Sequence, residues 1–165
     1  MSERPAPIPP RYLKTPYGLL ATGFGSGLSR RAPGTVGSAA ALPVFLLMWP
    51  LPLPIYLALT ALWFAVGVWA SARLSRELHV HDHGGIVIDE FAGLLIALIA
   101  CPPSPWAVVL GWVAFRVFDI VKPWPIGWLD RQVAGGLGIM LDDVVAGLYA
   151  LAVVQLSFRW LPIPV

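Results

Sequence analysis

The chain has 165 residues, enough for one domain, and a net charge of +2 that gives no sign of a nucleic-acid partner. Hydrophobic residues make up 58% of it and charged residues 12%, whereas soluble domains average about 45–50% and about 25%. This composition favours a membrane protein over its alternative, a very apolar soluble helical protein. The single cysteine, Cys101, excludes an internal disulfide and a paired-cysteine metal site.

Five apolar segments predict an all-α fold, a small integral-membrane helical bundle. The segments cover residues 37–49, 55–72, 86–100, 106–118 and 141–161. Prolines separate the first from the second and the third from the fourth, so we expect turns there. Fifteen helical residues reach only about 22 Å, less than the ~30 Å of a hydrocarbon core. Short segments can therefore be buried or re-entrant, above all the first, which contains Pro43. We interpret residues 1–21 as a cytoplasmic or interfacial tail and residues 22–165 as one domain.

The charges suggest an orientation for this bundle. If the N-terminus is cytoplasmic and all five segments cross, ten of the eleven basic residues lie on or near the cytoplasmic side, and only Arg159 lies opposite. This asymmetry follows the positive-inside rule. The same topology brings five carboxylates from distant positions to the cytoplasmic boundary: Asp89, Glu90, Asp119, Asp142 and Asp143.

These five carboxylates are candidate metal ligands. Carboxylates gathered at low dielectric repel one another, and Mg²⁺ relieves the repulsion because it prefers oxygen ligands and keeps waters and substrate phosphate as well. The alternative is helix capping, since acids near helix N-termini complement the dipole. Capping would explain every member except Asp119, which we expect at a helix C-terminus.

The stretch "FRVFDIVKPWP" carries Arg116, Asp119 and Lys122 at intervals of three residues. This spacing places them on one helix face. They can form a structural ion ladder, or the two cations can bind a phosphate beside a metal held by the aspartate. Pro123 and Pro125 are expected to end the helix.

Three polar loops precede apolar segments. "GFGSGLSRRAPGTVGS" is a flexible loop or an anion site at a helix N-terminus, with Arg31, Gly34, Thr35 and Ser38 as candidate phosphate-binding residues. "HVHDHGG" is a lead-in loop, or it supplies His81, Asp82 and His83 for proton transfer or support of the carboxylates. "GGLGIMLDD" is a structural turn, or it lets the backbone approach a ligand closely.

Together, "GFGSGLSRRAPGTVGS", "HDHGGIVIDEFAG", "FRVFDIVKPWPIGWLD" and "GGLGIMLDDVVAG" resemble the signature blocks of the phosphatidylglycerophosphatase A family. They occur in the right order over residues 22–147, about three quarters of the chain. The resemblance implies a bacterial inner-membrane, Mg²⁺-dependent phosphatase that converts phosphatidylglycerophosphate to phosphatidylglycerol. Two places depart from the pattern: Arg30–Arg31 need not be basic in relatives, and Ala134 stands where a histidine often precedes the glycine pair.

We therefore hypothesise that one or two Mg²⁺ ions are bound by the five carboxylates Asp89, Glu90, Asp119, Asp142 and Asp143. Arg116 and Lys122 would stabilise negative charge on the phosphoryl oxygens. Either a metal-activated water attacks phosphorus while a carboxylate takes its proton, or Asp89 or Asp142 attacks directly. The sequence leaves both routes open, and it does not predict the oligomeric state. Alternative functions are a phosphatase of another phosphomonoester lipid and a cation transporter or channel.

Overall fold

The computed structural model of the chain describes residues 7–80 and 83–160. Within these ranges all regular elements are helices and there is no strand, which confirms the all-α prediction. Two short 3₁₀ helices cover Pro10–Lys14 and Ser26–Leu28. The α-helices of the described part are α1 (Pro16–Ala21), α2 (Pro33–Met48), α3 (Leu53–Leu78), α4 (Ile88–Ala97), α5 (Pro105–Val121), α6 (Ile126–Gln132) and α7 (Gly135–Trp160).

The helix ends follow from local chemistry. Prolines stand in the first turn of α1, α2, α3 and α5, where the missing amide hydrogen costs nothing. The Thr15 hydroxyl accepts a hydrogen bond from the Gly18 amide at 3.1 Å and caps α1. Helix α5 ends at Val121 because Lys122 takes a left-handed conformation, with φ 46°, and Pro123 follows. The predicted end of this helix is confirmed.

The central element is α4, which is too short to cross a membrane. Its ten residues span about 15 Å, and Phe91, Leu94 and Leu95 are fully buried. It is packed between α2, α3, α5 and α7. Five membrane-crossing helices are therefore not confirmed: the third segment forms a core helix, the alternative that its short length had left open.

Among the described helices, α3 and α7 are long and apolar enough to cross a membrane. Each has 26 residues, or about 39 Å of helix. The outer face of α3 exposes large apolar side chains, including Leu57, Leu62 and Trp69. Such a face would be unfavourable in water and is typical of contact with lipid.

Helix α7 packs closely on its neighbours through glycines. A side chain at Gly136 would collide with the Val68 carbonyl on α3, and one at Gly147 would collide with the Gly93 carbonyl on α4. A Cβ at Gly93 would in turn lie 2.8 Å from the Asp143 carbonyl oxygen. These contacts place the acidic part of α7 directly beside the first turns of α4.

The N-terminal segment lies against the bundle. Helix α1 packs on α3, where the Tyr17 hydroxyl donates a 2.8 Å hydrogen bond to Glu77. The Val87 amide donates to the Ala21 carbonyl at 2.8 Å, just before α4 begins. The end of α1 and the start of α4 are therefore held together.

Candidate active site

The five predicted carboxylates meet at one place between α4, α5 and α7. Oxygen atoms of Asp89, Glu90 and Asp143 all lie within 4.8 Å of one another, and the same holds for Asp119, Asp142 and Asp143. Asp143 belongs to both groups, so the two groups form one continuous set. We call these five side chains the carboxylate cluster.

Each helix brings its acids to the cluster in a different way. Asp89 and Glu90 lie in the first turn of α4, and Asp89 Oδ1 accepts a hydrogen bond from the Glu90 amide at 3.1 Å. Asp142 and Asp143 were predicted to start the fifth helix, and this is wrong because α7 already begins at Gly135. The helix dipole acts within the first turn. Capping therefore explains the position of Asp89 and Glu90 but not that of Asp142 and Asp143.

Three members of the cluster bury oxygen atoms that have no hydrogen-bond partner among the described residues. These atoms are Glu90 Oε2, Asp142 Oδ1 and Asp143 Oδ2, and their residues are 8%, 6% and 2% exposed. A buried carboxylate oxygen without a partner is costly, and a cation removes that cost. The donors are all oxygen, as Mg²⁺ requires. The residues present therefore fit a magnesium site.

Arg116 lies on the α2 side of the cluster. Its Nη1 is 2.6 Å from Asp119 Oδ2 and 3.7 Å from Glu90 Oε1. Gly34, in the first turn of α2, lies against the same groups. A Cβ there would collide with Glu90 Oε1 and come within 3.0 Å of Arg116 Nη2. The glycine lets the backbone of α2 approach the cluster more closely than any other residue could.

Lys122 contacts a different member of the cluster, Asp142. Its Nζ is 2.8 Å from Asp142 Oδ2 and 2.8 Å from Asp130 Oδ1. Burial lowers the pKa of Lys122, but hydrogen bonds and negative charge from Asp130 and Asp142 outweigh it, so the pKa lies above its usual value. The predicted ion ladder is confirmed for Arg116, which pairs with Asp119 along α5. It is wrong for Lys122, which pairs with acids on α6 and α7.

Asp130 was missed by the sequence analysis. It is part of α6 and stands eight residues after Lys122, inside the block "KPWPIGWLD". Its sequence signals were its place at the end of the block "FRVFDIVKPWPIGWLD" and the rarity of acids, of which the chain has nine.

The other predicted phosphate-binding residues lie near α2. The Ser38 hydroxyl is fully buried, donates to the Thr35 carbonyl at 3.1 Å and accepts from Trp112 Nε1 at 3.1 Å. Arg31 is exposed and lines an open cleft that also includes Arg30 and His83. The roles of Arg31, Thr35 and Ser38 in phosphate binding stay predictions.

The histidine-rich loop is described only in part. His83 is buried, and its Nδ1 accepts a hydrogen bond from the Gly85 amide at 3.0 Å, which shapes the loop before α4. His83 is not part of the carboxylate cluster. His81 and Asp82, which were predicted to take part in proton transfer or to support the carboxylates, lie outside the described residues.

Comparison with known proteins matches the chain to one family. The model of that family, described as Phosphatidylglycerophosphatase A, matches residues 19–158. A phosphatidylglycerophosphatase A of Escherichia coli K12 is 48% identical over 150 residues, which cover 90% of this chain and 87% of the relative. One from Haemophilus influenzae is 47% identical over 152 residues, covering 90% and 93%.

A third relative carries a different name. It is a Bacteroides thetaiotaomicron protein provisionally named phosphatidylinositol-3-phosphatase, 37% identical over 155 residues, covering 86% of this chain and 92% of the relative. No solved structure matches the chain. The family match and the two relatives of similar length agree with each other, and the chain belongs to the phosphatidylglycerophosphatase A family.

Proposed function

We propose that the protein is a Mg²⁺-dependent lipid phosphatase that hydrolyses phosphatidylglycerophosphate to phosphatidylglycerol and phosphate at the cytoplasmic face of a bacterial inner membrane. Membership of the family makes it a phosphoric monoester hydrolase. The observation that carries the proposal is the carboxylate cluster, which has buried oxygens without a partner among the described residues and two cations, Arg116 and Lys122, in contact with its acids.

Asp89, Glu90 and Asp143 on one side, and Asp119, Asp142 and Asp143 on the other, would hold one or two Mg²⁺ ions. When bound, Mg²⁺ supplies positive charge for the phosphoryl oxygens and lowers the pKa of water. The shared position of Asp143 makes it the member whose loss disrupts both groups.

Arg116 and Lys122, which contact different acids of the cluster, stabilise negative charge on the phosphoryl group. Arg116 is held by Asp119, and Gly34 leaves room beside it for the backbone of α2. A carboxylate of the cluster accepts the proton of the water that attacks phosphorus. Direct attack by Asp89 or Asp142, giving an aspartyl-phosphate, is the alternative route.

The apolar body of the protein keeps this chemistry at the lipid headgroups. The length and outward-facing apolar side chains of α3, and the length of α7, support a multi-pass protein. The distribution of basic residues supports a cytoplasmic active site. The substrate would remain in the bilayer by its acyl chains while its phosphomonoester enters the cluster.

The test is release of inorganic phosphate from a panel of lipid phosphates in mixed micelles, with and without Mg²⁺. We expect turnover of phosphatidylglycerophosphate that chelation stops and added Mg²⁺ restores. Full activity in chelator would contradict the metal mechanism, and no turnover of any phosphomonoester lipid would contradict the proposed function.

A second candidate substrate is another phosphomonoester lipid, and the name of the Bacteroides thetaiotaomicron relative favours including phosphatidylinositol 3-phosphate in the panel. Faster turnover of that lipid than of phosphatidylglycerophosphate would replace the first proposal with this one. Cation flux into liposomes without phosphatase activity would instead support a transporter.

A further inference from the structure

Asp130 takes part in the arrangement of Lys122 although it belongs to neither carboxylate group of the cluster. The Lys122 ammonium lies 2.8 Å from Asp130 Oδ1 on α6 and 2.8 Å from Asp142 Oδ2 on α7. The two acids differ in environment: the Asp130 side chain is 37% exposed, whereas that of Asp142 is 9% exposed. The ammonium therefore bridges a surface carboxylate and a buried one.

Lys122 needs such a second contact because its own surroundings fix it poorly. It stands just past the end of α5, and its side chain is 31% exposed. A lysine side chain has a long flexible stem with many rotamers, so one contact leaves several positions open to its ammonium. Arg116, by contrast, lies within α5 and is 13% exposed.

We propose that Asp130 is a positioning residue, which holds the Lys122 ammonium against Asp142 so that it faces the phosphoryl group on arrival. This inference rests on the proposed function. Asp130 belongs to neither carboxylate group of the cluster, and in this role it acts only through Lys122. Its loss should therefore weaken binding of the phosphomonoester more than it slows the chemical step.

The experiment compares the full-length wild type with Asp130→Ala, Lys122→Ala and the double variant. All are assayed on phosphatidylglycerophosphate in mixed micelles. For Asp130→Ala we expect KM to rise about fivefold and kcat to change less than about twofold, as for loss of one partly exposed charge-assisted hydrogen bond. Adding Asp130→Ala to Lys122→Ala should have no further effect, because the residue acts through the lysine.

A binding measurement separates phosphate positioning from turnover. Inorganic phosphate with Mg²⁺ should raise the Tm of the wild type in detergent, and Asp130→Ala should need about fivefold more phosphate for the same rise. Asp130→Asn keeps an oxygen acceptor and should give an intermediate KM. The matched control is Glu77→Gln, which removes a partly exposed carboxylate paired with Arg73 at 3.3 Å on α3; its KM should equal that of the wild type.

Three outcomes would overturn the role of Asp130 in a wild type that hydrolyses the substrate. They are an unchanged KM and phosphate response in Asp130→Ala, additive effects in the double variant, and a large fall in kcat that Asp130→Asn shares. The last would make Asp130 a catalytic residue. A wild type that hydrolyses no phosphomonoester lipid would instead show that the proposed function is wrong.

Discussion

The two ends of α4 lie in the same apolar bundle but differ in how their buried polar groups are paired. In the last turn of α4 and just beyond it, carbonyl groups are paired with neutral donors: the Leu95 carbonyl accepts from the Tyr56 hydroxyl at 2.6 Å, and the Cys101 carbonyl accepts from Trp49 Nε1 at 3.2 Å. At the N-terminal end, buried oxygens of Glu90 and two neighbouring acids lack partners among the described residues.

This difference gives the C-terminal end of α4 a structural role and the N-terminal end a functional one. Neutral hydrogen bonds close the C-terminal end, as buried polar groups in stable proteins require. The N-terminal end gathers five carboxylates beside two cations, Arg116 and Lys122, and crowding so many acids costs stability in the free protein. The same contrast leads to the following predictions.

Asp143→Asn should have the largest effect on activity. Asp143 belongs to both groups of the cluster, so its loss should lower Mg²⁺-dependent phosphate release at least about a thousandfold. It also removes one of several repelling buried charges, so the free energy of unfolding in chelator should rise by about 1 kcal/mol. Phosphate release and a detergent melt in EDTA measure the two effects. Wild-type turnover by the Asp143→Asn variant would show that Asp143 has no role in the active site.

Removal of Mg²⁺ should have the second-largest effect on activity. Chelation should lower phosphate release at least about a hundredfold, and Mg²⁺ should restore it. Mg²⁺ should also raise the Tm of the wild type, because it binds only the folded cluster. Asp143→Asn should lose most of this rise, and an equal rise in both proteins would locate metal binding elsewhere.

Gly34→Ala tests the close approach of α2 to the cluster. The added Cβ would collide with Glu90 Oε1 and crowd Arg116, so we expect kcat/KM to fall about tenfold or more. The control is Gly84→Ala, since a Cβ at Gly84 meets no atom of the described residues within 4 Å. Equal activities of the two variants would show that the contact at Gly34 has no bearing on catalysis.

The sequence predicted the helices and the acids of the site better than their exact arrangement. Charges are so rare in this chain that Asp89 and Asp143 stood out, and a topology argument brought them to one boundary. The early start of α7 was missed because glycines favour turns. In the structure Gly136 lies inside the helix, where it permits contact with Val68. Asp130 could not be found, because its contact depends on how the chain turns between α5 and α6.

Tyr56→Phe should have the smallest effect on activity and thereby sharpen the contrast between the two ends of α4. It removes the hydroxyl that donates to the Leu95 carbonyl, leaving that acceptor without this donor. The free energy of unfolding should fall by about 1–3 kcal/mol, the usual cost of a lost buried hydrogen bond. Because Tyr56 lies beside the C-terminal end of α4, kcat and KM below the melting range should stay within about twofold of wild type. A detergent melt measures the loss of stability, and an initial-rate assay on the same preparation measures the activity. A large loss of activity at full stability would mean that the closed end also controls the geometry of the cluster, and the division of α4 into a structural and a functional end would be wrong.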